Sequence, residues 1–596
     1  VRRTSLIVLS SVLLVLPLSG CSLFGSPDAQ QQAETFLNGL AIGDLDQAAN
    51  VTDDPNLAKG ILNKVREGLK PKALTTKVDQ VRATGGIGDT EATVTYNWDF
   101  DKDRLWSYQS KLTMRELNGD WKVHFEPSDL HPKLGAQQSL TRKEVPAQLA
   151  PVLDRDGTPL MSPETLVSVV LERKQAGDLG KVATALAAAL TPLDAGITTQ
   201  SIGEGAAKAD SYTVAVLRQA DYLRVKPAIY ELPGVRFTEQ VRLVAPDKNF
   251  GSKVLPDVRA GIEKQLAGKN GWKIVSIDPA GNEVDTLFDK SPEQAKAVST
   301  GLSRIVQAAA EDAVEPVAQP AMLVAIQPST GDILAVAQNT AADQQNGLPL
   351  TGQYPPGSTF KIVTALAALQ RGAKIEDQVP CPGETVIDGR PIPNSDKFDL
   401  GTVPLRLAFA KSCNTTFATI AKGLPADALT TAATQTGLGV DYDIPGITTI
   451  SGSVPPAQGT VERAEDGFGQ GKVVASPFGM ALVAATVARG GTVTPHLLRG
   501  TDTKVAKGPR TAADKGQLEQ LRPMMRDVVT VGTANILAGL PDVFGKTGTA
   551  QFGDGTHSHG WFVGYQGDVA FAALVLDAGK SVSAIETVGR FLKTPR

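Results

Sequence analysis

Three short runs constrain this chain more than any bulk property: Ser358-Thr359-Phe360-Lys361, Ser412-Cys413-Asn414 and Lys546-Thr547-Gly548. The patterns S-x-x-K, S-x-N and K-T-G each occur once, in that order. Upstream of the first, Gln353-Tyr354-Pro355-Pro356-Gly357 blocks helix, so a helix is predicted to start at or near Ser358. Ile362, Val363, Leu366, Ala367 and Leu369 would make its buried face. Lys361, three residues on, then lies one turn along on the same side as Ser358. A serine hydroxyl is a poor nucleophile until a base takes its proton. A nearby amine can do so when burial and neighbouring charge keep it neutral, and a helix N-terminus stabilises the negative charge that develops. The same spacing by itself also describes a capping serine followed by a solvated lysine; the other two runs argue for chemistry. The second lies in a stretch expected as helix and loop. The third, Phe544 to Ala550, reads as a strand in which Gly548, lacking a side chain, lets a substrate backbone pair closely.

Together the runs resemble the active-site signature of penicillin-binding proteins and serine β-lactamases. The resemblance implies acyl transfer, with Ser358 as nucleophile and Lys361 as its base. It implies that Ser412 shuttles a proton towards the leaving amine and that the amide of Asn414 anchors a substrate carbonyl. It assigns Lys546 to positive charge and proton-network support, and the hydroxyls of Thr547 and Thr549 to the substrate's terminal carboxylate. The backbone N–H groups of Ser358 and Thr549 would form the oxyanion hole. Gly469-Gln470-Gly471, followed by Ser476-Pro477, resembles a stretch bordering the cleft in that family, though a loop before a helix cap accounts for it equally well. His557 and His559 sit two apart before Trp561, but no further Cys or His cluster completes a zinc site. A structural or cleft-rim role is expected for them, with no metal and no cofactor.

At 596 residues the chain is too long for one core, and 42% hydrophobic with 20% charged residues fits a folded protein. A net charge of -4 without a basic stripe argues against nucleic acid as a partner. Arg2, Arg3 and the apolar run Leu6 to Leu16 read as a secretory signal, residues 1–20. That run is too short for a permanent bilayer span, which takes roughly 20 residues. Leu18-Ser19-Gly20-Cys21 resembles the bacterial lipobox, which implies lipidation of Cys21, a tether over 21–28 and a place on the extracytoplasmic face of the cell membrane. The other reading is a soluble secreted protein with a chance cysteine at its cleavage site.

The expected fold class is multidomain α+β. Over 29–137, a helix through Ala33, Phe36, Leu37 and Leu40 precedes strands at Glu91–Trp98, Leu112–Leu117 and Trp121–Phe125, the last two joined by an Asn118-Gly119-Asp120 turn. The order resembles the cone-shaped nuclear-transport-factor-like module that begins the methicillin-resistance type of penicillin-binding protein. Val152 to Leu160 reads as strand, Asp-Gly turn and returning strand, and resembles the opening of the mixed α/β pedestal (dimerisation) domain of class B penicillin-binding proteins, assigned to 138–290. The penicillin-recognising transpeptidase domain, an antiparallel sheet flanked by helices, is expected over 291–596. There Ser291-Pro292-Glu293-Gln294 predicts a capped start to an alanine-rich helix over 295–314, and Met322–Ile326 with Ile333–Ala337 predicts a hairpin. Cys381 and Cys413 could form one bridge in an exported chain, or Cys413 could be a small buried filler.

The resemblance as a whole implies a lipid-anchored class B enzyme that cross-links peptidoglycan. Its donor would be a stem peptide ending in D-Ala-D-Ala, its acceptor an amine of a neighbouring stem, and β-lactams would acylate Ser358. Cell-wall synthesis or division proteins are the expected protein partners. A D,D-carboxypeptidase or β-lactamase shares the motifs. A non-catalytic β-lactam sensor or scaffold is the reading from another class, although no motif residue is missing.

Overall fold

The computed structural model describes residues 28–84, 89–101, 103–246, 248–344, 348–507, 511–553 and 555–594. Cys21, the signal segment 1–20 and all of the tether but Asp28 lie outside the described residues. The chain divides into two compact units. One takes the residues up to Ala147 together with Lys269–Glu293; the other takes Gln148–Gly268 and everything from Gln294 on.

In the first unit, helices Ala29–Ile42, Leu45–Asn50 and Pro55–Leu69 begin on Asp28, Asp44 and Asp54, each accepting a hydrogen bond from a first-turn N–H. An antiparallel meander follows: Ala73–Ala83, Asp89–Asp99, Leu105–Leu117 and Asp120–His124. The turn before the last strand puts Asn118 and Gly119 at positive φ, as the Asn-Gly pair demands. The segment 138–290 is divided between the units. Its strands Ser139–Val145, Gly271–Ile277 and Glu283–Lys290 form an antiparallel sheet in the first unit. The reason is aromatic: buried Trp272 packs 5.5 Å from Phe100 and 4.6 Å from Phe288, ring centre to ring centre.

In the second unit, Val152–Leu153 turns back through Gly157 into the long strand Pro159–Glu172. That strand is flanked by Ser211–Arg218 and Val235–Val244 and covered by helices Leu179–Leu190 and Gln219–Ile229, with a core of their own. The expected helix at Ser291 does not form. Glu293 exchanges backbone hydrogen bonds with Lys269, the side chain of Gln294 accepts from the N–H of Gln148, and Val298–Ser299 pairs in parallel with Val152–Leu153. The helix starts at Arg304, capped by Ser303, and ends at Val314. Tertiary pairing here outweighs a good local cap.

The main sheet of this unit has five antiparallel strands in the order Ile333–Gln338, Ala321–Ile326, Val569–Val575, His557–Gln566 and Val543–Phe552. Every residue of Ala321–Ile326 is buried, so both faces are covered. Helices Arg304–Val314 and Val582–Lys593 pack together on one side and Pro477–Arg489 on the other. Pro477–Arg489 is apolar nearly all round, as a helix enclosed in a core must be, and it is bounded by Ser476 as N-cap and Gly490 at φ 71°. Val543–Phe552 is left as the edge strand.

Candidate active site

The nucleophile run is built on two glycines set back to back. Gly357, at φ 51°, donates its N–H to the carbonyl of Gly469, itself at φ 78°. A Cβ on Gly469 would sit 2.0 Å from the Gly357 oxygen, so no side chain fits there. The chain then makes a 3-10 turn over Gly357–Phe360 before the α-helix Lys361–Leu369. Trp561 Nε1 donates to the carbonyl of Pro355 at 3.0 Å, pinning the turn to the sheet, and the hydroxyl of Thr359 donates to the carbonyl of Pro356 within the turn. Ser358 lies in this tight turn, half-buried, and Lys361 begins the helix below it.

Lys361 and Lys546 are both wholly buried. Lys361 Nζ lies 2.8 Å from the carbonyl of Ser412, 2.7 Å from Oδ1 of Asn414, 3.0 Å from Oγ of Ser358 and 3.2 Å from Oγ of Ser412. The first two are acceptors only. They take two amine hydrogens, and what remains of the nitrogen faces two hydroxyls. Burial, with the neighbouring charge of Lys546, pushes the Lys361 amine well below the usual lysine range. Neutral, it has one lone pair left to receive a hydroxyl proton. Lys546 Nζ donates to Oγ of Ser412 and to the carbonyl of Thr547, each at 2.9 Å, and burial pushes it down to about 7. Ser412 Oγ thus bridges the two amines.

Ser412 reaches that place at φ 62°, the left-handed region, at a cost of roughly 1–3 kcal/mol for a non-glycine residue. Three restraints on the residues that follow it, Cys413 to Thr415, hold it there. Cys413 is disulfide-bonded to Cys381, which decides between the two readings of these cysteines in favour of the bridge. The N–H groups of Asn414 and Thr415, at the start of helix Asn414–Lys422, both donate to Oδ1 of buried Asn394. Asn414 Nδ2 donates to the carbonyl of Pro393 at 3.1 Å, which turns its Oδ1 towards Lys361.

The third run lies on the edge strand. Backbone groups of alternate residues on such a strand point away from the sheet. The side chain of Gln470 marks which ones: with its amide oxygen and nitrogen assigned by hydrogen bonding and so exchanged, it accepts from the N–H of Gln551 at 2.9 Å and donates to the carbonyl of Gln551 at 3.3 Å. Two residues back, the N–H and carbonyl of Thr549 face the same open side. Apart from the substrate approach expected of it, Gly548 has a packing role. A Cβ there would lie 2.9 Å from both the Pro356 oxygen and Cγ2 of Thr359, so the glycine admits the nucleophile's own turn against the strand. Thr547 Oγ1 meets the hydroxyl of Thr533 at 2.6 Å.

The structure therefore gathers Ser358, Lys361, Ser412, Asn414 and Lys546 into one hydrogen-bonded set, with Thr547, Gly548 and Thr549 along its edge strand. His557 pairs with Asp577, and His559 stacks on Phe552 at 4.2 Å and accepts from the N–H of Asp577. Asn394 and Thr533 escaped the sequence reading. Asn394 stands in Pro391-Ile392-Pro393-Asn394-Ser395-Asp396, which looks like any polar turn, and Thr533 follows a glycine with nothing to mark it.

Comparison with known proteins agrees. Residues 321–591 match the penicillin-binding protein transpeptidase domain, and residues 28–138 match the NTF2-like N-terminal transpeptidase domain. The chain is 31% identical to the peptidoglycan D,D-transpeptidase PbpA of Mycobacterium tuberculosis over 360 residues, 52% of this chain and 70% of that protein. It is 26% identical to the peptidoglycan D,D-transpeptidase FtsI of Escherichia coli K12 over 463 residues, 71% of this chain and 76% of that one. Among solved structures, a chain of the complex between penicillin-binding protein PBP2 and MreC from Helicobacter pylori superposes with a TM-score of 0.58 at 17% identity, covering 76% of this chain and 98% of that one. The fold and its serine-lysine centre define a serine acyltransferase. The chain belongs to the class B penicillin-binding proteins.

Proposed function

We propose that this protein is a peptidoglycan D,D-transpeptidase working through an ester on Ser358. The carrying observation is the Lys361 amine, 3.0 Å from Ser358 Oγ with two of its hydrogens directed to obligate acceptors. Ser358 attacks the penultimate carbonyl of a stem peptide ending in D-Ala-D-Ala, and Lys361 takes its proton. The oxyanion is received by the N–H groups of Ser358 and Thr549, the latter on the open edge of the strand; such a donor is worth about 3–4 kcal/mol of barrier. Ser412 Oγ, between the two amines, passes the proton to the departing D-Ala. An amine from a neighbouring stem then reverses the sequence and leaves a cross-link. Asn414 orients the substrate backbone, and Lys546, Thr547 and Thr549 hold the terminal carboxylate. β-Lactams mimic the donor and esterify Ser358.

The anchor at Cys21, the extracytoplasmic location and any link to antibiotic resistance belong to the same proposal, resting on the lipobox-like Leu18-Ser19-Gly20-Cys21 and on the resemblance to the methicillin-resistance type. Cell-wall proteins are the proposed macromolecular partners, by analogy with a structural relative solved with MreC.

The test is intact mass of the chain from Ser22 onward after incubation with a penicillin, beside Ser358→Ala. A stable adduct on the wild type alone is expected. Destruction of the drug without an adduct would make the protein a β-lactamase instead. An intact drug and no adduct would point to a closed, low-reactivity site, as resistant enzymes have, or to a scaffold, and Ser358→Ala in a deletion strain separates the two.

A further inference from the structure

From the geometry around Thr547 we infer that Thr533 is a third hydroxyl of the site that holds the donor's terminal carboxylate. This rests on the transpeptidase reading and extends its binding site to a loop outside the three motifs.

Thr533 follows the helix Lys515–Thr530, and its side chain is exposed. It does not wander. Gly532 beside it is packed between the end of helix Leu405–Ala410 and the last turn of helix Lys515–Thr530, so closely that a Cβ would lie 2.4 Å from the Ala410 oxygen and 2.7 Å from the Val528 Cα. The N–H of Thr533 donates to the Ala410 carbonyl at 3.3 Å, two residues before Ser412. The loop is thus fixed to the same turn that presents Ser412, and it delivers an exposed hydroxyl 2.6 Å from that of Thr547.

Proton bookkeeping gives that contact a role. A carboxylate only accepts, and each threonine hydroxyl has one hydrogen to give. Lys546 Nζ, a donor when charged, lies 3.5 Å from Thr547 Oγ1 on the other side. Between two hydroxyls 2.6 Å apart, one donates to the other, and the one that accepts is left with its hydrogen free. If Thr533 donates, Thr547 gives its hydrogen to the carboxylate. If Thr547 donates, Thr533 does. In either arrangement the anion meets a hydroxyl polarised by a second one, beside the Lys546 charge, and removing Thr533 releases the direction of Thr547.

The test uses the whole chain with Thr533→Val, Thr533→Ala and Thr533→Ser. Acylation of Ser358 is followed with a penicillin and with the methyl ester of the same penicillin, each resolved into pre-covalent affinity and acylation rate. Loss of a hydrogen bond to a charged group predicts a fall of about tenfold or more in affinity for the free acid in the Val and Ala variants. The Ser variant should stay within about twofold of wild type, and the ester should respond little to any of the three. Unchanged affinity for the acid in both Val and Ala, or an equal loss for acid and ester, would overturn the assignment. A wild-type chain that takes no acyl group from either compound and does not cross-link or trim a D-Ala-D-Ala stem peptide would overturn the transpeptidase reading itself, and this assignment with it. Thr533 is exposed, and the two unlike truncations guard against a single misfolded variant.

Discussion

At the residue scale, the site depends on two ammonium groups that are not both comfortable as ions. Lys361 and Lys546 are buried, and among the described residues neither has a carboxylate within ion-pair distance. Desolvation therefore goes uncompensated and lowers both. Lys361 also feels the charge of Lys546, so it releases its proton first. The two ends of the pH range then fail for different reasons. As pH falls through the depressed pKa of Lys361, the base is protonated and acylation is lost. As pH rises through about 7, Lys546 of the free enzyme loses the charge that attracts the substrate carboxylate. The second-order rate constant for acylation by a penicillin is expected to be bell-shaped, its falling limb centred near 7. Lys546→Arg stays charged throughout and should carry that limb to higher pH at a lower maximum. A falling limb that does not move in Lys546→Arg would show that another group sets it.

At the scale of elements, the helix Asn414–Lys422 begins without a cap from its own N-cap residue, Cys413. Asn394 takes over that duty from 20 positions upstream in the chain. Its Oδ1 accepts two first-turn N–H groups, while its Nδ2 donates to the carbonyls of Pro382 and Phe398, each at 2.9 Å. Asn394→Ala strands donors in a buried place and is expected to lower stability by about 1–3 kcal/mol. Because the freed segment carries Ser412 and Asn414, acylation should fall with it, by about tenfold or more. Asn394→Asp, which keeps the acceptor, should recover part of both. Thermal unfolding alongside acylation kinetics checks this, and full activity in a destabilised Asn394→Ala would reduce Asn394 to a packing residue.

The bridge between Cys381 and Cys413, 32 residues apart, restrains the same segment. Replacing both cysteines by serine is expected to reduce stability by roughly 2–4 kcal/mol, with a smaller loss of acylation than in Asn394→Ala, since the cap remains. An unchanged melting temperature would contradict this. These devices show where the sequence is readable. The Ser358 and Lys361 spacing and the Met322–Ile326 hairpin follow local rules of period and turn and stand in the structure as expected, whereas the helix expected to bury one face over Ile362 to Leu369 is buried all round. The cap written at Ser291, by contrast, yields to pairing with Lys269 and Val152, contacts that no local pattern announces. Asn394 and Thr533 are hidden for the same reason: their partners are distant in the chain.

At the scale of the whole molecule, the chain leaves its first compact unit after Ala147 and returns to it over Lys269–Glu293. The returning segment is not decoration. Strand Gly271–Ile277 is the middle strand of the three-stranded sheet, bonded to Ser139–Val145 on one side and Glu283–Lys290 on the other. Trp272 and Ile274 from it are buried in the same core as Phe36, Trp98 and Leu140. The first unit is therefore incomplete as residues 28–147, and its stability depends on side chains encoded after a 121-residue excursion, Gln148–Gly268, into the second. Trp272→Ala is the sharpest probe, because it removes a ring held between Phe100 and Phe288. Truncating a buried tryptophan is expected to cost about 3–5 kcal/mol, and that cost falls on the first unit. Ser358, Lys361, Ser412 and Lys546 all belong to the second. Calorimetry of Trp272→Ala should show one unfolding transition moved to lower temperature, while penicillin still acylates Ser358 at the wild-type rate at temperatures where the second unit is folded. A single transition that moves as a whole, together with lost acylation, would mean that the two units fold and fail as one.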